Sequence, residues 1–137
     1  MLNNKSIILI EDDQVDIMAI KRYLKELEIT NTLFIFQNGE EFLEFSEQNS
    51  HIPVGIILLD LNTPKLNGFE FLDKVKLNQS LNHIPVVVVT TSVEDNDVKQ
   101  AYRLGAKGYI HKAVDNDDFA RALEITFNYW DTQVMGN

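Results

Sequence analysis

Cysteine is absent from the 137 residues. Disulfides, thiolate metal sites and a cysteine nucleophile are therefore excluded, and the chain suits a reducing compartment. Long apolar runs are missing as well. None approaches the roughly 18 residues a membrane helix needs, and residues 1–5 lack the apolar stretch of a signal peptide. Basic residues are the minority, with 12 lysines and arginines against 21 aspartates and glutamates and a formal charge of −9 at pH 7. That balance argues against a nucleic-acid partner, because such proteins carry a basic patch. The GxxxxGK[ST] loop of P-loop chemistry is absent, and so are repeats and low-complexity segments. What is present is ordinary globular usage, 45% hydrophobic and 24% charged. The expectation is a soluble, cytoplasmic protein with no membrane partner. One domain over residues 1–137, with its core at about 5–130, accounts for the length.

Four apolar runs stand out, at residues 7–10 (IILI), 33–36 (LFIF), 56–59 (IILL) and 86–89 (VVVV), with a weaker fifth at 108–111 (GYIH). Short runs without polar alternation read as strands covered on both faces. Between them lie helical spacings. Ile17, Ile20, Leu24 and Leu27 recur at steps of three and four, as do Phe119, Leu123, Phe127 and Trp130. Weaker patterns occupy 40–46, 69–77 and 98–104. Ser92 followed by Asp95 has the form of a capping box, and Gly105 would close that helix. The stretch 48–55, with Pro53, reads as the longest loop. Five alternations of strand and helix predict a doubly wound α/β fold, a parallel sheet between two helical layers.

Ligands of such sheets bind beyond the carboxyl ends of the strands. Glu11, Asp12 and Asp13 follow the first run, with Asp16 one turn on; Asp60, Leu61 and Asn62 follow the third. Thr90, Thr91 and Ser92 close the fourth, and His111 and Lys112 the fifth. Glu11, Asp12 and Asp60 in one crevice would raise one another's pKa unless a cation intervened. Hard carboxylate oxygens suit Mg²⁺, which would keep them ionised and shield an incoming phosphoryl group. Asp60 would then be a nucleophile for an aspartyl phosphate, with Lys112 and the Thr90 hydroxyl neutralising the equatorial oxygens. Each residue has an ordinary alternative when taken alone. Acids that open a helix complement its dipole, and Asp13 and Asp16 are assigned to that role. A lone aspartate after a strand is commonly a turn residue, a lysine commonly solvated, and a tyrosine commonly core. Their joint placement at strand ends favours the functional reading. His51, His83 and His111 lack ligand spacing and read as surface or loop residues, and Trp130 reads as a packing residue of the last helix.

The segments ILIEDD, IILLDLNTPKLNGFE, VVVVTTS and LGAKGYIHK resemble the receiver domain of two-component response regulators, over essentially the whole chain. The resemblance implies the flavodoxin-like strand order 2-1-3-4-5. It implies Asp60 as phosphoacceptor and Mg²⁺ on Asp12, Asp60 and the Asn62 backbone carbonyl, with Glu11 acting through water. By the same likeness Thr90 and Lys112 bind the phosphoryl group and Tyr109 is the aromatic that changes rotamer. Asn62 and Ser92 would tune phosphoryl lifetime. Within the family, VVVVTTS, the acidic first helix and the ending NYWDTQ look most like small regulators paired with bacterial phytochrome kinases. One departure is Ala113, where receivers usually carry a cis proline after the lysine; a non-proline cis bond costs about 2.5–4 kcal/mol.

The implied activity is phosphoryl acceptance from a histidine kinase or phosphotransfer protein, without enzymatic turnover. The signal would leave by a protein contact, to a downstream target or a second copy, through the fourth helix, fifth strand and fifth helix, near Tyr102, Tyr109 and Phe119. Three rival readings stand beside it. A degenerate receiver acting only as an interaction module is opposed by the complete set of site residues. A haloacid dehalogenase-like phosphatase would need a second aspartate where Asn62 stands. A flavin carrier would need a phosphate-binding loop where three carboxylates follow the first strand.

Overall fold

A computed structural model of the chain describes residues 4–92, 94–112 and 116–130. The elements run β1 (Ser6–Ile10), α1 (Gln14–Glu26), β2 (Leu33–Phe36), α2 (Gly39–Gln48), β3 (Val54–Leu59), α3 (Gly68–Leu77), β4 (Val86–Thr90), α4 (Asp95–Arg103), β5 (Gly108–His111) and α5 (Asn116–Trp130). The five strands form one parallel sheet in the order β2-β1-β3-β4-β5. The predicted doubly wound fold and its strand order are therefore observed.

Alternation along each strand divides the core. Ile8, Ile10, Ile57, Leu59, Val86 and Val88 face α2, α3 and α4, where Phe42, Phe71, Leu72 and Ala101 meet them. Ile7, Leu9, Ile56, Leu58, Val87 and Val89 face α1 and α5, against Ile17, Ile20, Leu123 and Phe127. The central strands are apolar at nearly every position because both faces are covered. The edge strands β2 and β5 are only half-buried over most of their length. Trp130 packs against the second cluster. Phe119, expected near an output surface, is instead 4% exposed and meets Tyr23 edge-on with ring centroids 5.3 Å apart. It lies on the core side of α5, so it belongs to the packing and not to a docking face.

The helix starts differ from expectation at one place. Asp13 caps α1, its side chain accepting from the N–H groups of Val15 and Asp16, and Asn38 caps α2 by accepting from Glu41. A capping box does occur, but between Asn67 and Glu70 at α3. The Ser92–Asp95 pair does not form one. Helix α4 begins one residue beyond Glu94, whose side chain makes no cap bond, and the Ser92 hydroxyl donates instead to Asp97 Oδ2 at 2.6 Å. The chain turns into the helix after Ser92, so the hydroxyl falls outside capping reach of the first turn. Gly105 does follow α4 in the left-handed region, at φ 108°. The loop at 49–53 is shorter than those at 60–67 and 78–85, so the longest connections are not where Pro53 suggested. His51 and His83 are exposed in turns, whereas His111 is half-buried as the last residue of β5. Ala113, the departure from the usual proline, lies outside the described residues. Among the described residues no helix is long and apolar enough to cross a membrane.

Candidate functional site

The sheet register brings the expected residues to one edge. The peptide N–H of Glu11 donates to the Phe36 carbonyl at 2.9 Å, and that of Asp60 to the Ile10 carbonyl at 3.0 Å. The Lys112 N–H donates to the Thr90 carbonyl, also at 2.9 Å. These three bonds extend the β1–β2, β1–β3 and β4–β5 ladders by a residue and hold Glu11, Asp60 and Lys112 at the carboxyl ends of the strands. Thr90 is the last residue of β4 and is fully buried.

Glu11, Asp12 and Asp60 each offer a carboxylate oxygen, all within 4.8 Å of one another. Glu11 and Asp60 are buried, at 1% and 7% exposure, and Asp12 faces solvent. Burial pushes the Glu11 carboxyl up to about 7, the Lys112 contact offsets this in part, and the charge of Asp60 adds to it. The upward shift anticipated from repulsion is thus present at Glu11, but removal from water is its main cause. An all-oxygen donor set around a buried acid that is costly to ionise fits a hard divalent cation. Asn62 sits two residues beyond Asp60, its N–H directed at Asp60 Oδ1 at 3.3 Å.

Lys112 spans the crevice. Its Nζ lies 2.5 Å from Glu11 Oε1, 2.7 Å from Asp16 Oδ2 and 3.7 Å from Asp60 Oδ2, and its side chain is 4% exposed. Burial lowers its pKa, but the hydrogen bonds it donates to Asp16 and Glu11 and the charge of Asp60 more than offset this, leaving it above the ordinary lysine value. The lysine stays protonated. Asp16, read from sequence as a helix-opening acid, is therefore also a partner of Lys112. No sequence signal pointed to that contact, since the two residues lie near opposite ends of the chain.

The loop after Asp60 is tightly held. Leu66 N–H donates to the Pro64 carbonyl at 2.8 Å, closing a γ-turn around Lys65, which adopts φ 67°. Gly68, at the start of α3, lies so close to Leu61 that a Cβ there would be 2.6 Å from Leu61 Cδ2 and 2.7 Å from its Cα. On the other side, Tyr109 is half-buried and its hydroxyl donates to the Ser92 carbonyl at 3.1 Å. Burial raises the Tyr109 pKa, so it remains a donor. Ser92 N–H faces Thr90 Oγ1 at 3.5 Å. Thr90, Ser92, Asp97 and Tyr109 therefore form one polar cluster at the entrance to α4, of which Asp97 was not foreseen.

Fold and site together define an α/β domain with an acid-and-lysine crevice at the carboxyl edge of a parallel sheet. The response regulator receiver domain matches residues 7–124. The chain belongs to the response regulator receiver family. It is 33% identical to the probable methanogenesis regulatory protein FilR2 of Methanothrix harundinacea (strain 6Ac), over 90% of this chain and 82% of that one. Response regulator Rcp1 of Synechocystis sp. (strain ATCC 27184 / PCC 6803 / Kazusa) is 36% identical over 92% of this chain and 88% of its own. A crystal structure of the Mn²⁺-bound form of Rcp1 superposes with a TM-score of 0.81 at 35% identity, covering 92% of this chain and 94% of that chain. The phosphorylated cyanobacterial phytochrome response regulator RcpA gives a TM-score of 0.86 at 29% identity, covering 96% of this chain and 97% of that one. The resemblance to phytochrome-associated regulators is thus matched among its relatives.

Proposed function

We propose that the chain is a phosphorylatable receiver in which Asp60 accepts a phosphoryl group from a partner histidine kinase or phosphotransfer protein. The observation that carries this reading is the position of Asp60, 7% exposed, clustered with Glu11 and Asp12 and with the Lys112 ammonium 3.7 Å from its Oδ2. Glu11, Asp12, Asp60 and the Asn62 carbonyl would hold Mg²⁺, which would supply charge neutralisation between these acids and phosphate oxygens.

An Asp60 oxygen forms the new bond to phosphorus while the bond from phosphorus to the donor breaks, and the leaving group keeps that electron pair. Lys112 contributes a fixed positive charge beside an equatorial oxygen, and the Thr90 hydroxyl donates to another. Thr90 is fully buried at the end of β4, next to the strand that carries Tyr109. Drawing the hydroxyl toward the phosphoryl group would disturb the bond from Tyr109 to the Ser92 carbonyl and so the entrance to α4. The output would pass through the α4–β5–α5 face to a downstream protein or a second copy. In this reading residues 1–137 act as one cytoplasmic receiver domain, and the chain catalyses only its own phosphorylation and dephosphorylation.

Acetyl phosphate with Mg²⁺ tests the proposal. One added phosphoryl group by mass spectrometry is expected in the wild-type chain, and none in Asp60→Asn. Persistence of the modification in that variant would sink the assignment.

A further inference from the structure

We propose that Asp16 is a positioning residue for this phosphoryl transfer, holding the Lys112 ammonium so that its remaining N–H faces the acceptor carboxylate. The inference rests on Asp60 being the acceptor. An ammonium has three hydrogens and no acceptor capacity. Here two carboxylates lie at bonding distance, Glu11 at 2.5 Å and Asp16 at 2.7 Å, and Asp60 Oδ2 lies beyond them at 3.7 Å.

The two short partners differ in permanence. Glu11 belongs to the cluster of three acids suited to a cation, and its oxygens would turn toward that charge. Asp16 is outside the cluster, on a different element. Once Glu11 is engaged elsewhere, Asp16 is the anchor that keeps the lysine over the crevice. A lysine side chain has many accessible rotamers, so an unanchored ammonium would leave the crevice for much of the time.

Asp16 is itself held. Its peptide N–H donates to Asp13 Oδ1 at 3.1 Å, the same carboxylate that takes the Val15 N–H at 2.8 Å and caps α1. The chain of contacts therefore runs from the helix cap through Asp16 and Lys112 to Asp60. A role in complementing the helix dipole does not require the aspartate to meet a lysine whose side chain is 4% exposed. The Asp16 carboxylate is still 32% exposed, so it reaches the buried ammonium from the solvent side of the crevice.

With acetyl phosphate as donor, the Asp60 oxygen bonds to phosphorus, the bond from phosphorus to the acetate oxygen breaks, and acetate departs with the electron pair. Lys112 transfers no proton in this step. Asp16→Ala should slow the initial rate roughly tenfold through misplacement of the ammonium, with unchanged Mg²⁺ affinity by calorimetry. Asp16→Glu, which keeps the charge, should recover part of the rate. In a Lys112→Ala background the Asp16→Ala loss should disappear, because the group it positions is gone. An unchanged or faster rate in Asp16→Ala, additive losses in the double variant, or a parallel loss of Mg²⁺ affinity would each overturn the inference. If the wild-type chain takes no phosphoryl group, both this and the acceptor assignment fall. If the wild type is labelled normally and Asp16→Ala matches it, only this one does.

Discussion

Lys112 at the end of β5 and Glu11 at the end of β1 form a buried ion pair, 2.5 Å from Nζ to Oε1, with side chains 4% and 1% exposed. The pair closes the crevice across the sheet, over the strand that carries Asp60. Removing Lys112 would leave the buried Glu11 charge without its closest cation.

Lys112→Met should therefore cost roughly 3 kcal/mol of unfolding free energy at about pH 8. Without its cation, Glu11 would hold a proton to still higher pH. The loss should then be smaller at about pH 5, where the acid is neutral. Adding Glu11→Gln should restore part of the stability at the higher pH. Urea denaturation of the three proteins at both pH values checks this. An equal loss at both, or no recovery in the double variant, would contradict it.

Glu11 would also set a pH dependence for the proposed metal binding. Its folded pKa is raised from 4.5 to about 7, chiefly by burial. The folded chain thus binds more protons than the unfolded chain between these values. The stability this group contributes is full below about 4.5 and is lost as pH rises through about 7. A divalent cation favours the ionised carboxylate and offsets that loss. The rise in Tm on adding MgCl₂ should accordingly be small at about pH 5 and larger at about pH 8. Thermal melts with and without the salt measure it, and equal shifts at both pH values would rule it out.

The strands and the acids of the crevice were legible in the sequence because each rests on a local signal. Unbroken apolar runs report burial on both faces, and the residues after them lie at the sheet edge whatever the loops do. The contacts of Asp16 and Asp97 were not legible. Asp16 has the ordinary look of a first-turn acid, and only the pairing of β4 with β5 brings Lys112 to it. At α4 the spacing of Ser92 and Asp95 matched a capping box, but the backbone turns later, at Glu94, and the hydroxyl goes to Asp97. The capping box at Asn67 and Glu70 instead closes the loop that follows Asp60. Phe119 shares an apolar stripe with Leu123 and Phe127, and its packing against Tyr23 shows that this stripe faces the core and not the output surface.

Ser92 joins the site to the start of α4, through its N–H facing Thr90, its hydroxyl on Asp97 and its carbonyl under Tyr109. Exchanging it for a charged residue should change the decay rate of the phosphorylated chain, followed by mass spectrometry after removal of the donor. The same exchange breaks the bond to Asp97, so amides at the beginning of α4 should exchange faster with solvent. An unchanged decay rate would refute the coupling.

Gly68 connects the loop after Asp60 to α3, and its need for glycine is a matter of space. A Cβ would stand 2.6 Å from Leu61 Cδ2 and 2.7 Å from Leu61 Cα. The side-chain atom can move, but the Cα cannot without shifting the residue that follows Asp60. Glycine also lets its N–H approach the Leu61 carbonyl, at 3.0 Å. Gly68→Ala should therefore destabilise the fold by roughly 2 kcal/mol, a cost typical of overpacking. It should also lower the rate of labelling by acetyl phosphate, since Asp60 and the Asn62 N–H lie in the displaced loop. A helix-interior site would show the reverse sign, because alanine is the better helix former by about 1 kcal/mol. Denaturation curves and labelling rates for Gly68→Ala decide between the two, and a more stable variant with an unchanged rate would mean that the loop has room to give.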